Sequence, residues 1–143
     1  MPLPSSPVCV LDASLVLAWC FEDEASDAAD QLLQQSSVQG VAVPLQWHLE
    51  VAQLLDRAQR RERLTEARAT EFLALLDAIP VETDAAPAER GRREVLYLAR
   101  ETRLSPYDAA YLDLAMRRRL PLATRDPMLR QAAAALGVTL LDL

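Results

Sequence analysis

Four carboxylates stand where chemistry can gather. Asp12 closes the apolar run "VCVLD", and Asp126 follows the run "LPLAT" directly before Pro127. Asp108 lies in the first turn of a helical pattern, "SPYDAAYLDLAMRRR", on the face it shares with Leu112 and Ala115. Glu50 falls one turn after Trp47 and one turn before Leu54, on the flank of an apolar stripe where a carboxylate is costly without partners. Asp113 lies well round its helix from the apolar stripe and is expected in solvent. Each acid also has a purely structural reading. Asp12 with Ser14 behind it and Asp126 before Pro127 are good helix caps, and Ser105 with Asp108 resembles a capping box. Glu50 could equally be a half-exposed partner of a nearby Arg. Taken together, converging carboxylates repel one another and raise each other's pKa unless something positive sits among them. The chain has no Lys and only one His, so a hard divalent cation with oxygen ligands is the economical solution. Such an ion keeps waters that can become nucleophiles and commonly serves phosphodiester hydrolysis.

The elements that must hold these acids are readable from periodicity. "VCVLD" is a short continuous apolar run, as in a strand buried on both faces. Helical patterns follow in "ASLVLAWCF" and "DEASDAADQLLQQ", then a strand in "GVAVP" stopped by Pro44. From Leu45 to about Arg63, Trp47, Val51, Leu54, Leu55 and Ala58 recur at helical spacing, and another helix runs from a Thr65 cap to Asp77. The strand "IPVE", the loop "TDAAPAERG" and the helix "REVLYLARETR" lead to the Asp108 helix, the strand "LPLAT", the helix "PMLRQAAAALG" and a last strand "VTLLDL". Strands alternating with helices predict a three-layer α/β sandwich around a mostly parallel sheet. In such sheets ligands gather at the carboxyl ends of the strands, which places Asp12 and Asp126 at one edge.

With 143 residues, one domain spanning 1–143 with a leader segment at 1–7 is expected. Half the residues are apolar and only 3 are Gly, which suits a helix-rich fold and excludes disorder. All 15 basic residues are Arg, and the net charge of -6 gives no global attraction to nucleic acid or an anionic membrane. Cys9 and Cys20 lack metal-ligand spacing and read as buried thiols. No apolar run approaches the roughly 20 residues of a membrane span, and "MPLPSSP" has no signal-peptide pattern, so a cytoplasmic protein without membrane contact is expected.

The order "VLDAS", "PLQWHLEVAQLL", "LSPYDAAYLDLA" and "LATRDPML" resembles the PIN domain, in particular the stand-alone VapC-type ribonuclease toxins, from Val8 to the closing strand. The resemblance implies a central parallel sheet of about five strands with helices on both faces. It also implies an acidic pocket for Mg2+ or Mn2+, in which Asp12, Glu50, Asp108 and Asp126 match the family's catalytic and metal-holding acids. Ser14 and Thr124 match supporting hydroxyl positions that could orient a carboxylate or a water. Gln53 departs from the Asn that often follows the helix Glu by three residues. The implied activity is metal-dependent hydrolysis of single-stranded or loop RNA by an activated water, leaving a 5'-phosphate and a 3'-hydroxyl. The implied partners are a second copy of the chain and a small antitoxin.

An acidic pocket needs arginines at its rim to admit RNA. Arg57, Arg60, Arg61, Arg63, Arg117, Arg118 and Arg119 are candidates, with Arg125 foremost because it adjoins Asp126; their alternative role is as helix-end cations. His48 has no partner His and is set aside. Trp19, Phe21 and Trp47 are candidate walls of an apolar groove for an antitoxin segment, or ordinary core aromatics. Two further readings share the pattern: a housekeeping RNA-processing PIN nuclease, and a non-catalytic PIN-like binding module. A receiver domain would need a Lys, and a haloacid dehalogenase-type phosphatase would need Asp-x-Asp where Asp12 is followed by Ala13 and Ser14.

Overall fold

A computed structural model describes residues 6–143; the first five residues of the expected leader lie outside the described residues. Strand β1 (Val10–Leu11) is completely buried, as its uninterrupted apolar run requires. It leads through a 3-10 turn (Ala13–Val16) into the short helix α1 (Leu17–Cys20). Helix α2 (Asp27–Gln39) begins only after Ser26, whose hydroxyl accepts from the Ala29 N–H; the acidic Glu22–Glu24 ahead of it forms a separate 3-10 turn. Strand β2 (Val41–Val43) follows, then α3 (Trp47–Arg60) and α4 (Glu66–Asp77), the latter capped by Thr65. Strand β3 (Val81–Thr83) and a 3-10 segment (Ala88–Arg92) precede α5 (Glu94–Thr102). Helix α6 (Pro106–Arg118), strand β4 (Leu122–Ala123) and helix α7 (Pro127–Ala135) complete the elements.

All strand pairings are parallel and the order is β3-β2-β1-β4. Among the described residues the sheet therefore has four strands, where the family resemblance implies about five. "VTLLDL" reaches the β4 edge but forms a single bridge, Leu140 to Leu122. One reason is visible at Leu141, whose carbonyl accepts from the Arg130 guanidinium (3.2 Å) rather than extending the ladder. The order changes direction at β1: the chain moves from β1 to β2 on one side and returns with β4 on the other. A crevice forms at the carboxyl ends of the strands flanking such a switch.

The apolar faces of the helices pack on the sheet in one contiguous buried cluster. Val51, Leu55 and Ala58 bury one face of α3, and Leu112 and Ala115 bury one face of α6. Cys9 and Cys20 are free thiols, and burial pushes the Cys9 pKa up to about 12, which makes it inert.

Candidate active site

The register of the sheet builds the first half of the site. Leu11 pairs with Ala123, so the residues that follow, Asp12 and Thr124, leave the sheet side by side. The Asp12 N–H donates to the Ala123 carbonyl (3.0 Å) and the Thr124 hydroxyl donates to Asp12 Oδ2 (2.7 Å). The same hydroxyl accepts from the Asp126 N–H (3.1 Å), linking two of the acids through one oxygen. Ser14 adds its hydroxyl to Asp12 Oδ2 (3.1 Å) and its N–H to Oδ1 (3.3 Å). Asp126 accepts a long bond from Met128 N–H (3.4 Å) at the start of α7, where Pro127 needs no donor.

Helices supply the second half. Glu50 lies in the first turn of α3, and its Oε2 accepts from the Tyr111 hydroxyl (2.5 Å), which in turn accepts from Ala13 N–H (3.2 Å). Asp108 lies in the first turn of α6, where its N–H donates to the Ser105 hydroxyl (3.1 Å). Asp12, Glu50, Asp108 and Asp126 line one cleft of about 390 Å³ together with Ser14, Gln53 and Arg57. The cap and the cluster are therefore not rival roles. Asp12 and Asp126 accept backbone bonds at helix starts, and both also face this cleft.

The electrostatics are those of an unneutralised acidic cluster. Among the described residues none of the four acids forms an ion pair. Burial raises the Glu50 pKa, the Tyr111 hydrogen bond opposes that, and the charges of Asp12 and Asp108 raise it further. Burial also raises the Asp108 pKa, with Asp126 and Asp12 adding to it. As the side chains stand, no three His, Cys, Asp or Glu among the described residues are close enough to grip an ion. The donor set is nonetheless oxygen-only and negative, and no acid in it is ion-paired among the described residues. That suits a cation such as Mg2+, which keeps several waters and needs few direct carboxylates.

Sequence-derived expectations for the remaining residues fare unevenly. Arg57 lines the cleft, two turns along α3 from Glu50, and has no ion pair or side-chain hydrogen bond among the described residues. Arg125 turns instead to the start of α2, donating to the Glu24 carbonyl (2.7 Å) and the Ser26 hydroxyl (3.0 Å). Arg60 pairs with Asp56, Arg63 with Asp23 and Glu24, and Arg118 with Glu82. Asp113 is not solvated as its helical position predicts. It is only 9% exposed, because the Ala88–Arg92 segment brings Arg90 onto it (2.8 Å) while Arg117 closes from the next turn (3.0 Å). Trp47 is a core residue and no groove wall, whereas Phe21 is half-buried beneath the Arg63 guanidinium. The residue missed by sequence reading is Tyr111. Its signal was available in outline, since it sits one turn after Asp108 on α6.

The PIN domain family model matches residues 9–135. Among solved structures, the crystal structure of PAE2754 from Pyrobaculum aerophilum is similar over 86% of this chain and 84% of that one, at 27% identity and a TM-score of 0.65. A chain of a toxin-antitoxin complex from Klebsiella pneumoniae shares the fold over 94% of this chain and 98% of that one, at 18% identity and a TM-score of 0.59. No curated protein matches the sequence.

Proposed function

The chain belongs to the PIN domain family, a nuclease fold, and from that premise we propose that it is a Mg2+- or Mn2+-dependent endoribonuclease, the toxin of a toxin-antitoxin pair. One observation carries the reading: four carboxylates from separate parts of the chain face one cleft, and none has an Arg partner. Asp12, Asp108 and Asp126 would hold the cation, with Glu50 as a further ligand or the group that orients water. A bound divalent cation supplies charge neutralisation, activation of water and stabilisation of the leaving oxygen.

The chain's own groups do the positioning. Thr124 and Ser14 fix both oxygens of Asp12, so its carboxylate cannot swing away when the site fills. Arg57, the one cation lining the cleft among the described residues, contacts a phosphate of the entering RNA backbone. The family resemblance, rather than geometry, favours single-stranded or loop RNA and 5'-phosphate products. The toxin role and a neutralising antitoxin are in keeping with the VapC-like motifs and with a fold shared with a toxin-antitoxin complex; a homodimer and a cytoplasmic location rest on the VapC-like resemblance alone. Among the described residues no helix is long and apolar enough to cross a membrane.

The decisive experiment maps the 5' ends of total bacterial RNA incubated with purified protein and Mg2+, Mn2+ or chelator, beside Asp12→Ala. Discrete new 5'-phosphate ends that require both cation and Asp12 are expected. Ends that persist with chelator or in the variant would overturn the reading.

A further inference from the structure

Tyr111 is wholly buried in α6, yet its hydroxyl touches two residues of the cleft from two other elements. The oxygen accepts the Ala13 N–H (3.2 Å), and the phenol's single proton goes to Glu50 Oε2 (2.5 Å). The direction of both bonds is therefore set: the backbone amide can only donate, and the carboxylate accepts. Glu50 Oε2 is occupied by this bond, while Oε1 has no hydrogen-bond partner among the described residues. Ala13 directly follows Asp12, so the same phenol also ties Glu50 on α3 to the turn that carries Asp12.

We propose that Tyr111 is a positioning residue that holds Glu50 in fixed relation to Asp12 and presents one carboxylate oxygen, Oε1, to a divalent cation in the cleft. The inference rests on the cation-dependent reading above. It distinguishes Glu50 from Asp12, both of whose oxygens are already engaged by the chain. Outer hydrogen-bond partners of metal ligands typically change metal affinity by about 10–100-fold.

The test is Mn2+ binding to the RNA-free full chain, followed by calorimetry and by the electron paramagnetic resonance of free Mn2+, for wild type, Y111F, E50Q and the double variant. Phe keeps the buried ring, and circular dichroism melts establish that each variant is folded. Y111F is expected to weaken Mn2+ binding about tenfold or more, and the double variant to bind no more weakly than E50Q alone. A purely structural Tyr111 would disturb the Asp12 turn regardless of Glu50, so losses that multiply in the double variant overturn the proposal. So does a Y111F affinity equal to wild type. Should Y111F not fold, E50D keeps the charge but stops a methylene short of the phenol, and wild-type affinity in E50D overturns the proposal. A wild-type chain that binds no Mn2+ overturns the cation reading and this inference with it; Mn2+ binding unchanged by Y111F overturns this inference alone.

Discussion

Thr124 has one hydroxyl proton, and Asp12 Oδ2 takes it at 2.7 Å while the oxygen accepts the Asp126 N–H. Thr124→Val removes both bonds with little change of shape, leaving the partly buried Asp126 N–H without its partner and Asp12 Oδ2 with only the Ser14 hydroxyl, a cost of about 1–3 kcal/mol. We expect a folded variant with about 10–100-fold weaker metal affinity, restored by Thr124→Ser; wild-type affinity in the Val variant would show that the link does not matter. Arg57 answers to a different measurement. If it contacts a phosphate, Arg57→Ala in an Asp12→Ala background should weaken single-stranded RNA binding and reduce the slope of log K against log salt by about 0.7. An unchanged slope would place Arg57 outside the interface. That Asp12 and the residues after "LPLAT" share one sheet edge could be read in advance, because both follow strands of a parallel sheet; that Asp12 and Thr124 stand side by side takes the β1–β4 register, which the sequence does not carry. The Tyr111–Glu50 bond could not, since it spans 61 positions and depends on how α3 and α6 face each other.

Strands of two or three residues suffice here because their job is to aim the residues that follow them. Gly40 is what lets the chain turn from α2 into β2: its φ of 82° and ψ of 175° lie in a region open essentially to Gly alone. A Cβ there would also come within 2.6 Å of the Pro80 carbonyl oxygen, beside the β3 pairing. Gly40→Ala is expected to lose about 1–3 kcal/mol in urea unfolding, and a variant as stable as wild type would contradict the assigned strain. On the opposite flank, Asp113 bridges Arg90 and Arg117, and Arg117 also pairs with Asp84. Burial is the largest single influence on Asp84 and would raise its pKa, but the Arg117 and Ala86 hydrogen bonds and the charges of Arg117 and Arg90 together outweigh it, and the net shift is downward. Asp113→Asn leaves two partly buried guanidinium groups short of charge and should cost about 1–3 kcal/mol; a neutral result would mean that solvent screens this network completely. The misplacement of Asp113 follows from treating α6 as a helix with one buried face. The 3-10 segment that covers its second side begins in "TDAAPAERG" and ends at Arg92, a stretch with no hydrophobic period to announce it.

Across the whole molecule, a chain of net charge -6 gathers four of its acids into one cleft, so the fold carries a charge cost that a cation can remove. The folded-state pKa values of Glu50 and Asp108 are raised above their ordinary values. Between the unfolded and folded values the native state binds more protons than the unfolded chain, so this contribution to stability is present in acid and lost as pH rises through the window. Asp84 has the opposite sign, its contribution being lost as pH falls. In chelator, Asp108→Asn removes one repelling charge, so its melting temperature relative to wild type should climb as pH rises from about 4 to 7. Mg2+ at about 100 times its dissociation constant should then stabilise the wild type at pH 7 by about 2.7 kcal/mol, worth about 2–4 °C per kcal/mol. The gain should fade toward pH 4 as protons compete for the same oxygens, and it should be much smaller in Asp108→Asn. A melting temperature indifferent to Mg2+ at pH 7, or an Asp108→Asn variant that melts below wild type in chelator, would mean that the four acids do not act as one electrostatic unit. Asp12 and Asp126 would then be explained as helix caps, and Glu50 and Asp108 as separate first-turn acids.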